Sequence, residues 1–178
     1  MLTTLLKGKS EGFTLTEFMV VVVLIGIVGA VTISLGIDSW RRERLNAVVI
    51  ELAGWLEEIS RNPERNGTAC TVTVDTGSRS PGSRLARVEP TSCSANPAFN
   101  IPATFGSDNF NVGSSQDSWT FTPRGAISSA SDVQVRIAIS GQQPVQCVRL
   151  SGTLGLIRLG RNEASSDVSS SCTVFSST

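Results

Sequence analysis

The chain is predicted to be α+β, with a long N-terminal helix followed by a β-sheet domain. Three features point there: an apolar run at residues 18–37, apolar residues at helical spacing over 45–59, and short strand-like stretches rich in Val, Thr and Ser beyond residue 68. The 178 residues suit one domain plus an appendage. Fifteen basic and fifteen acidic residues cancel, so the chain lacks the overall basic excess that accompanies nucleic-acid binding. There is no His, and Lys occurs only as Lys7 and Lys9. Histidine triads, histidine zinc sites, Schiff-base lysines and P-loop lysines are therefore excluded from residue 10 onward. The carboxylates, Ser and thiols that remain form no catalytic constellation by spacing, so no enzyme, metal or cofactor is expected.

Residues 18–37 (FMVVVVLIGIVGAVTISLGI) are twenty residues without a formal charge. As a helix rising about 1.5 Å per residue they cover roughly 30 Å, the hydrocarbon thickness of a bilayer. A buried core helix would carry a polar stripe, which this run lacks. A secretory signal would have a shorter apolar region and a small-residue cleavage site after it. The run is read as a single membrane span. Charge does not orient it, because Lys7 and Lys9 on one side face Arg41, Arg42 and Arg44 on the other.

Beyond Asp38 the pattern becomes amphipathic. Leu45, Val48, Val49, Leu52, Leu56 and Ile59 recur at spacings of three and four, with Glu51, Glu57, Glu58 and Arg61 between them. One helix is expected from about residue 14 to 61, ended by Asn62-Pro63. Its first part (13–37) would lie in the membrane and its second (38–62) against a β-domain (63–178). A heptad dimer is the alternative, on a run of only about two heptads.

Strands are expected at 69–75, 84–89, 118–122, 133–139, 145–151 and 154–159. Val133, Val135, Ile137 and Ile139 alternate with Gln134 and Arg136, the period of a half-buried strand. Gly152-Thr153 is expected to make a two-residue hairpin turn, which implies antiparallel pairing of its flanking strands. Residues 76–83 and 90–117 are expected as loops, and the polar segment 162–171 as flexible unless Cys172 pins it.

Cys70, Cys93, Cys147 and Cys172 all follow the span at spacings of 23, 54 and 25, with no C-x-x-C pair. Two disulfides fit this better than a zinc ribbon and place the C-terminal domain outside the cytoplasm. Three connectivities are open; Cys70–Cys93 with Cys147–Cys172 is favoured, each closing a loop worth about 3 kcal/mol.

The segment before the span is the most specific. A short leader containing Lys7 and Lys9 ends in Gly12, and Phe13-Thr14-Leu15-Thr16-Glu17 leads directly into the apolar run. This resembles the class III signal of type IV pilins and of the pseudopilins of type II secretion. The resemblance implies that residues 1–12 are a leader, removed by a prepilin peptidase that cuts between Gly12 and Phe13 on the cytoplasmic side and methylates the new Phe13 amine. Glu17 then becomes the fifth residue of the mature chain. An ionised acid at the edge of hydrocarbon needs a partner. In this family the implied partner is the N-terminal amine of a neighbouring subunit. Partners implied in this way are the prepilin peptidase, other pilins or pseudopilins and the inner membrane, with the C-terminal domain in the periplasm before filament assembly. Many pilins carry a Pro within this helix; the apolar run here has none, leaving Gly26, Gly29 and Gly36 as places for local unwinding or close helix contact.

The second half of the chain also resembles a subgroup. Trp119-Thr120-Phe121-Thr122-Pro123-Arg124-Gly125, with Cys147-Val148-Arg149-Leu150 and Gly155-Leu156-Ile157-Arg158-Leu159-Gly160, is similar to the strand-and-turn and closing hairpin of GspH/FimT-like minor pilins and pseudopilins. That likeness implies a long helix packed on an antiparallel sheet domain and a minor pilin of a type IV pilus, with a type II secretion pseudopilin as the alternative. Some FimT-like pilins capture DNA through Gly-Arg-x-Arg. Here Gly160-Arg161-Asn162-Glu163 lacks the second Arg, which leaves Arg149, Arg158 and Arg161 as candidate DNA contacts. Over residues 63–178 nine Arg face eight acids, a net of +1 and a weak electrostatic footprint.

Overall fold

A computed structural model describes residue 12 and residues 14–129, 131–152 and 154–176, apart from the side chains of 30–38. Helix α1 spans Leu15–Asn66. The chain divides into two compact units, Met1–Trp40 and Arg41–Thr178, so that α1 contributes to both. The helix passes through Pro63, where the sequence predicts its end. A following proline disfavours the α conformation at Asn62 without forbidding it. The Asn62 side chain donates to the Cys93 carbonyl at 2.5 Å, which ties this turn to the β-domain. The stop comes at Gly67, whose φ of 64° provides the left-handed residue that closes a helix. Its N–H donates to the Pro63 carbonyl at 2.9 Å.

Ten strands follow: β1 (Cys70–Val74), β2 (Gly77–Arg79), β3 (Arg84–Glu89), β4 (Ala98–Asn100), β5 (Phe110–Ser114), β6 (Ser118–Phe121), β7 (Val133–Ile139), β8 (Val145–Leu150), β9 (Ile157–Asn162) and β10 (Val174–Phe175). They form a four-stranded sheet in the order β4-β3-β1-β6 and a six-stranded sheet in the order β10-β9-β8-β7-β5-β2. Each of these pairings is antiparallel. The architecture is thus α+β, an N-terminal helix packed on antiparallel sheets.

Three expectations about connections need correction. Residues 76–83 are not only a loop, since β2 leaves the first sheet and pairs with β5 in the second. Residues 90–117 contain β4 and β5; the buried Phe110 and Val112 give β5 an alternation too short to stand out beside Pro90, Pro97 and Pro102. The β8–β9 connection is not a two-residue turn. Leu150 is opposite Ile157, and the Ser151 N–H donates to the Leu156 carbonyl at 2.9 Å, so residues 151–156 make the turn. Thr153 itself lies outside the described residues.

The amphipathic half of α1 supplies one wall of the core. Leu45, Val48, Val49, Leu52, Leu56 and Ile59 are buried together with Val72, Leu85 and Val88 of the first sheet and Val133, Val135, Ile137, Val148 and Leu150 of the second. Trp55 joins them, donating its indole N–H to the Asn96 carbonyl at 2.9 Å. Trp119 and Phe121 are core residues. Arg41 and Arg44 converge on Asp108, at 3.4 and 3.0 Å, and Arg44 also donates to the Phe105 carbonyl at 2.9 Å. Two of the three arginines that follow the apolar run are thereby occupied within the β-domain unit.

The second sheet has a further layer. Ala138, Val145 and Cys147 are buried with Cys172, and Val168 and Phe175 pack against them. The polar segment 162–171, expected as flexible unless Cys172 pins it, is pinned by the Cys147–Cys172 bond and held by several further contacts. Val145 N–H donates to Ser165 O at 3.0 Å, Arg136 Nη1 to Ser169 O at 2.9 Å and Asn162 Nδ2 to Ser171 O at 3.0 Å. Close approach explains Gly113, because a Cβ there would stand 2.8 Å from the Val168 carbonyl oxygen.

Candidate functional site

Thr14 and Glu17 build the N-terminus of α1. The Glu17 carboxylate accepts from the Thr14 N–H at 3.0 Å and from its hydroxyl at 2.9 Å, while the Glu17 N–H donates to Thr14 Oγ1 at 3.3 Å. This reciprocal arrangement is a capping box, which satisfies amides that the first turn leaves without helical partners. Its signal, Thr-x-x-Glu ahead of an apolar run, stands at residues 14–17 of the sequence. Glu17 is exposed and can present its carboxylate outward. Gly12 is also exposed; Phe13 and residues 1–11, with Lys7 and Lys9, lie outside the described residues.

The turns that follow are apolar on every side. Leu15, Phe18, Val22, Ile25 and Val28 are exposed, and so are Met19, Val20, Val21, Val23, Leu24 and Ile27. A helix apolar all round requires apolar surroundings, whether lipid or other helices. The predicted span at 18–37 extends over positions 30–37, whose side chains lie outside the described residues. Among the described residues, no helix is long and apolar enough to cross a membrane.

The candidate DNA contacts do not form one patch. Arg149 and Arg158 are directly opposed on β8 and β9, whereas Arg161, three positions along β9, points to the other face. Arg149 Nε donates to Asp132 at 2.9 Å, with a second contact through Nη2, and its guanidinium lies over the Phe175 ring at 5.0 Å. Arg161 pairs with Glu163 at 3.0 Å. Arg158 makes no ion pair among the described residues. Asp132 was not singled out from sequence. It also accepts the Gly152 N–H at 3.1 Å, and the Arg149 and Gly152 hydrogen bonds hold its carboxyl below the ordinary range.

The structure joins Cys70 to Cys93 and Cys147 to Cys172, with Cα separations of 5.9 and 6.2 Å. The first bond fastens β1 to the segment before β4; the second fastens β8 to the outer C-terminal segment. No group of His, Cys, Asp or Glu among the described residues is arranged to hold a metal ion.

Residues 7–33 match the prokaryotic N-terminal methylation motif. No curated protein and no solved structure matches the chain. The chain therefore carries the leader motif of type IV pilin-type precursors, joined to a helix that packs on antiparallel sheets. That motif implies processing by a prepilin peptidase, membrane anchoring and assembly with pilins, and the family that carries it is a structural one.

Proposed function

We propose that the chain is a minor pilin, a structural or initiating subunit of a type IV pilus filament, of the GspH/FimT-like kind. The observation that carries this reading is the methylation motif at residues 7–33 running into a helix whose apolar side chains are exposed on every described face. Prepilin peptidase removes residues 1–12 and methylates Phe13. Glu17 then meets the cationic terminus of a neighbouring subunit. In apolar surroundings such a pairing is far stronger than in water. The Thr14 cap supports this role by holding the carboxylate at the start of the helix, next to the position of Phe13. The disulfide-held domain lies in the periplasm before the subunit enters the filament.

The test is incorporation into sheared surface fibres. Tagged parent chain is recovered in them, whereas Glu17→Ala remains in the membrane fraction. Equal recovery of both would remove the role given to Glu17, and absence of the parent would remove the pilus reading. Loss of enzyme export with intact pili in a deletion strain would assign the subunit to a type II secretion pseudopilus instead.

A further inference from the structure

The exposed stretch between α1 and β1 carries a pattern that the fold does not require. Among the asparagines of the chain, only Asn66 is followed two positions on by Ser or Thr, in Asn66-Gly67-Thr68. Asn-x-Ser/Thr with any x but proline is the acceptor pattern for N-linked sugar. Glu64 precedes it by two positions, which makes the segment acid-x-Asn-x-Thr.

Residues 64–69 are exposed without interruption, between the buried Pro63 and the buried Cys70. Gly67 has a local reason, since its left-handed φ closes α1. Asn66 and Thr68 have no comparable one. Among the described residues, the Asn66 side-chain amide makes no hydrogen bond and the Thr68 hydroxyl donates only to the Asn66 carbonyl, at the long distance of 3.4 Å. The turn also opens easily. Pro63 brings no N–H to it, and beyond the helix's own ladder it is closed by the bond from Gly67 N–H to the Pro63 carbonyl. A frayed helix end lets Asn66 and Thr68 extend together into a catalytic cleft.

We propose that Asn66 is a site of N-glycosylation, filled outside the cytoplasm by an oligosaccharyltransferase from a polyprenyl-diphosphate-linked oligosaccharide. The Asn66 side-chain nitrogen bonds to the anomeric carbon of the donor sugar. The bond from that carbon to the diphosphate oxygen breaks, the polyprenyl diphosphate leaves with the electron pair, and one amide proton passes to a base of the transferase. Thr68 is the recognition residue, because its hydroxyl offers the transferase a hydrogen-bonding group two positions from the reacting amide. The sugar is carried at the junction of α1 and β1. The inference rests on the reading above for placing the β-domain outside the cytoplasm, a compartment that also suits its two disulfides.

The experiment is mass spectrometry of the full-length protein from the cells that natively make it, after reduction and trypsin digestion, with the variants made in the same cells. The peptides carrying the site are 66–79 and, where the sugar blocks cleavage after Arg65, 62–79. They are expected to be heavier by whole sugar residues in the parent and in Thr68→Ser. The added mass is expected to be lost in Asn66→Gln and in Thr68→Ala. An unmodified parent peptide overturns the proposal, as does conversion of Asn66 to aspartate alone or sugar that persists in Asn66→Gln. Sheared fibres are scored separately for the chain. Fibres containing the chain with bare Asn66 overturn this site and leave the filament reading standing. Sugar on Asn66 of a chain absent from fibres supports the site and removes the filament reading.

Discussion

The Glu17 carboxylate accepts both the amide and the hydroxyl of Thr14, at 3.0 and 2.9 Å. The acid proposed to meet a neighbouring subunit's terminus thus also closes the first turn of its own helix. A carboxylate held in this way is already oriented at the positive end of the helix dipole when a cation approaches.

Thr14→Val removes the hydroxyl that donates to Glu17 and accepts its amide, whereas Thr14→Ser keeps it. Amide exchange at residues 15–18 of the detergent-solubilised chain is expected to quicken roughly fivefold in Thr14→Val and little in Thr14→Ser, the scale of a lost N-cap. Fibre incorporation should fall in the same order. Unchanged exchange in Thr14→Val would show that the cap does not hold this turn.

Acid should weaken the β-domain through Asp132. Hydrogen bonds from Arg149 and Gly152 hold its pKa below the ordinary 3.8, so the folded state favours the ionised form. The contribution is present at neutral pH and is lost as pH falls below that ordinary value and through the lower folded one. Asp132→Asn should therefore have a lower urea midpoint than the parent at pH 7, and the two should converge near pH 2. Asp167, lowered by its Ser169 hydrogen bonds, acts in the same direction. A difference between parent and Asp132→Asn that persists unchanged into acid would rule out this linkage.

The Cys147–Cys172 bond should hold the outer layer. Replacing both cysteines by Ser removes the tether of a segment otherwise fixed by hydrogen bonds and Val168. A stability loss of about 3 kcal/mol is expected from the loop closed. Limited proteolysis should cut within residues 163–171 before the rest of the domain. Simultaneous digestion of parent and variant would show that the segment is held without the bond.

Much of this fold was legible because burial imposes a period. Leu45 to Ile59 repeat at helical spacing and Val133 to Ile139 at strand spacing, and all the apolar residues named in those two patterns are buried. The short strands were not legible: Gly77–Arg79 and Ala98–Asn100 hold too few residues for alternation to stand out from a loop. The end of α1 lies beyond the Asn62-Pro63 stop that the sequence predicts, because the local bias of Pro63 is overridden by tertiary contact at Asn62, and Gly67 sets the stop. The polar segment carries no burial signal because backbone hydrogen bonds and Cys172 hold it. At the candidate site, the Thr14–Glu17 cap was present in the sequence as a motif. The pairing of Arg149 with Arg158 depended on the register of β8 and β9, which spacing alone does not fix, and Arg161 falls on the other face because β9 runs on to Asn162, beyond the strand end expected at 159.

Mass spectrometry of the N-terminal peptide from membrane-extracted protein bears most directly on the assignment. A chain beginning at methylated Phe13 is the predicted result. A chain that keeps residues 1–12, or begins elsewhere within the apolar run, would contradict processing at Gly12 and with it the filament role.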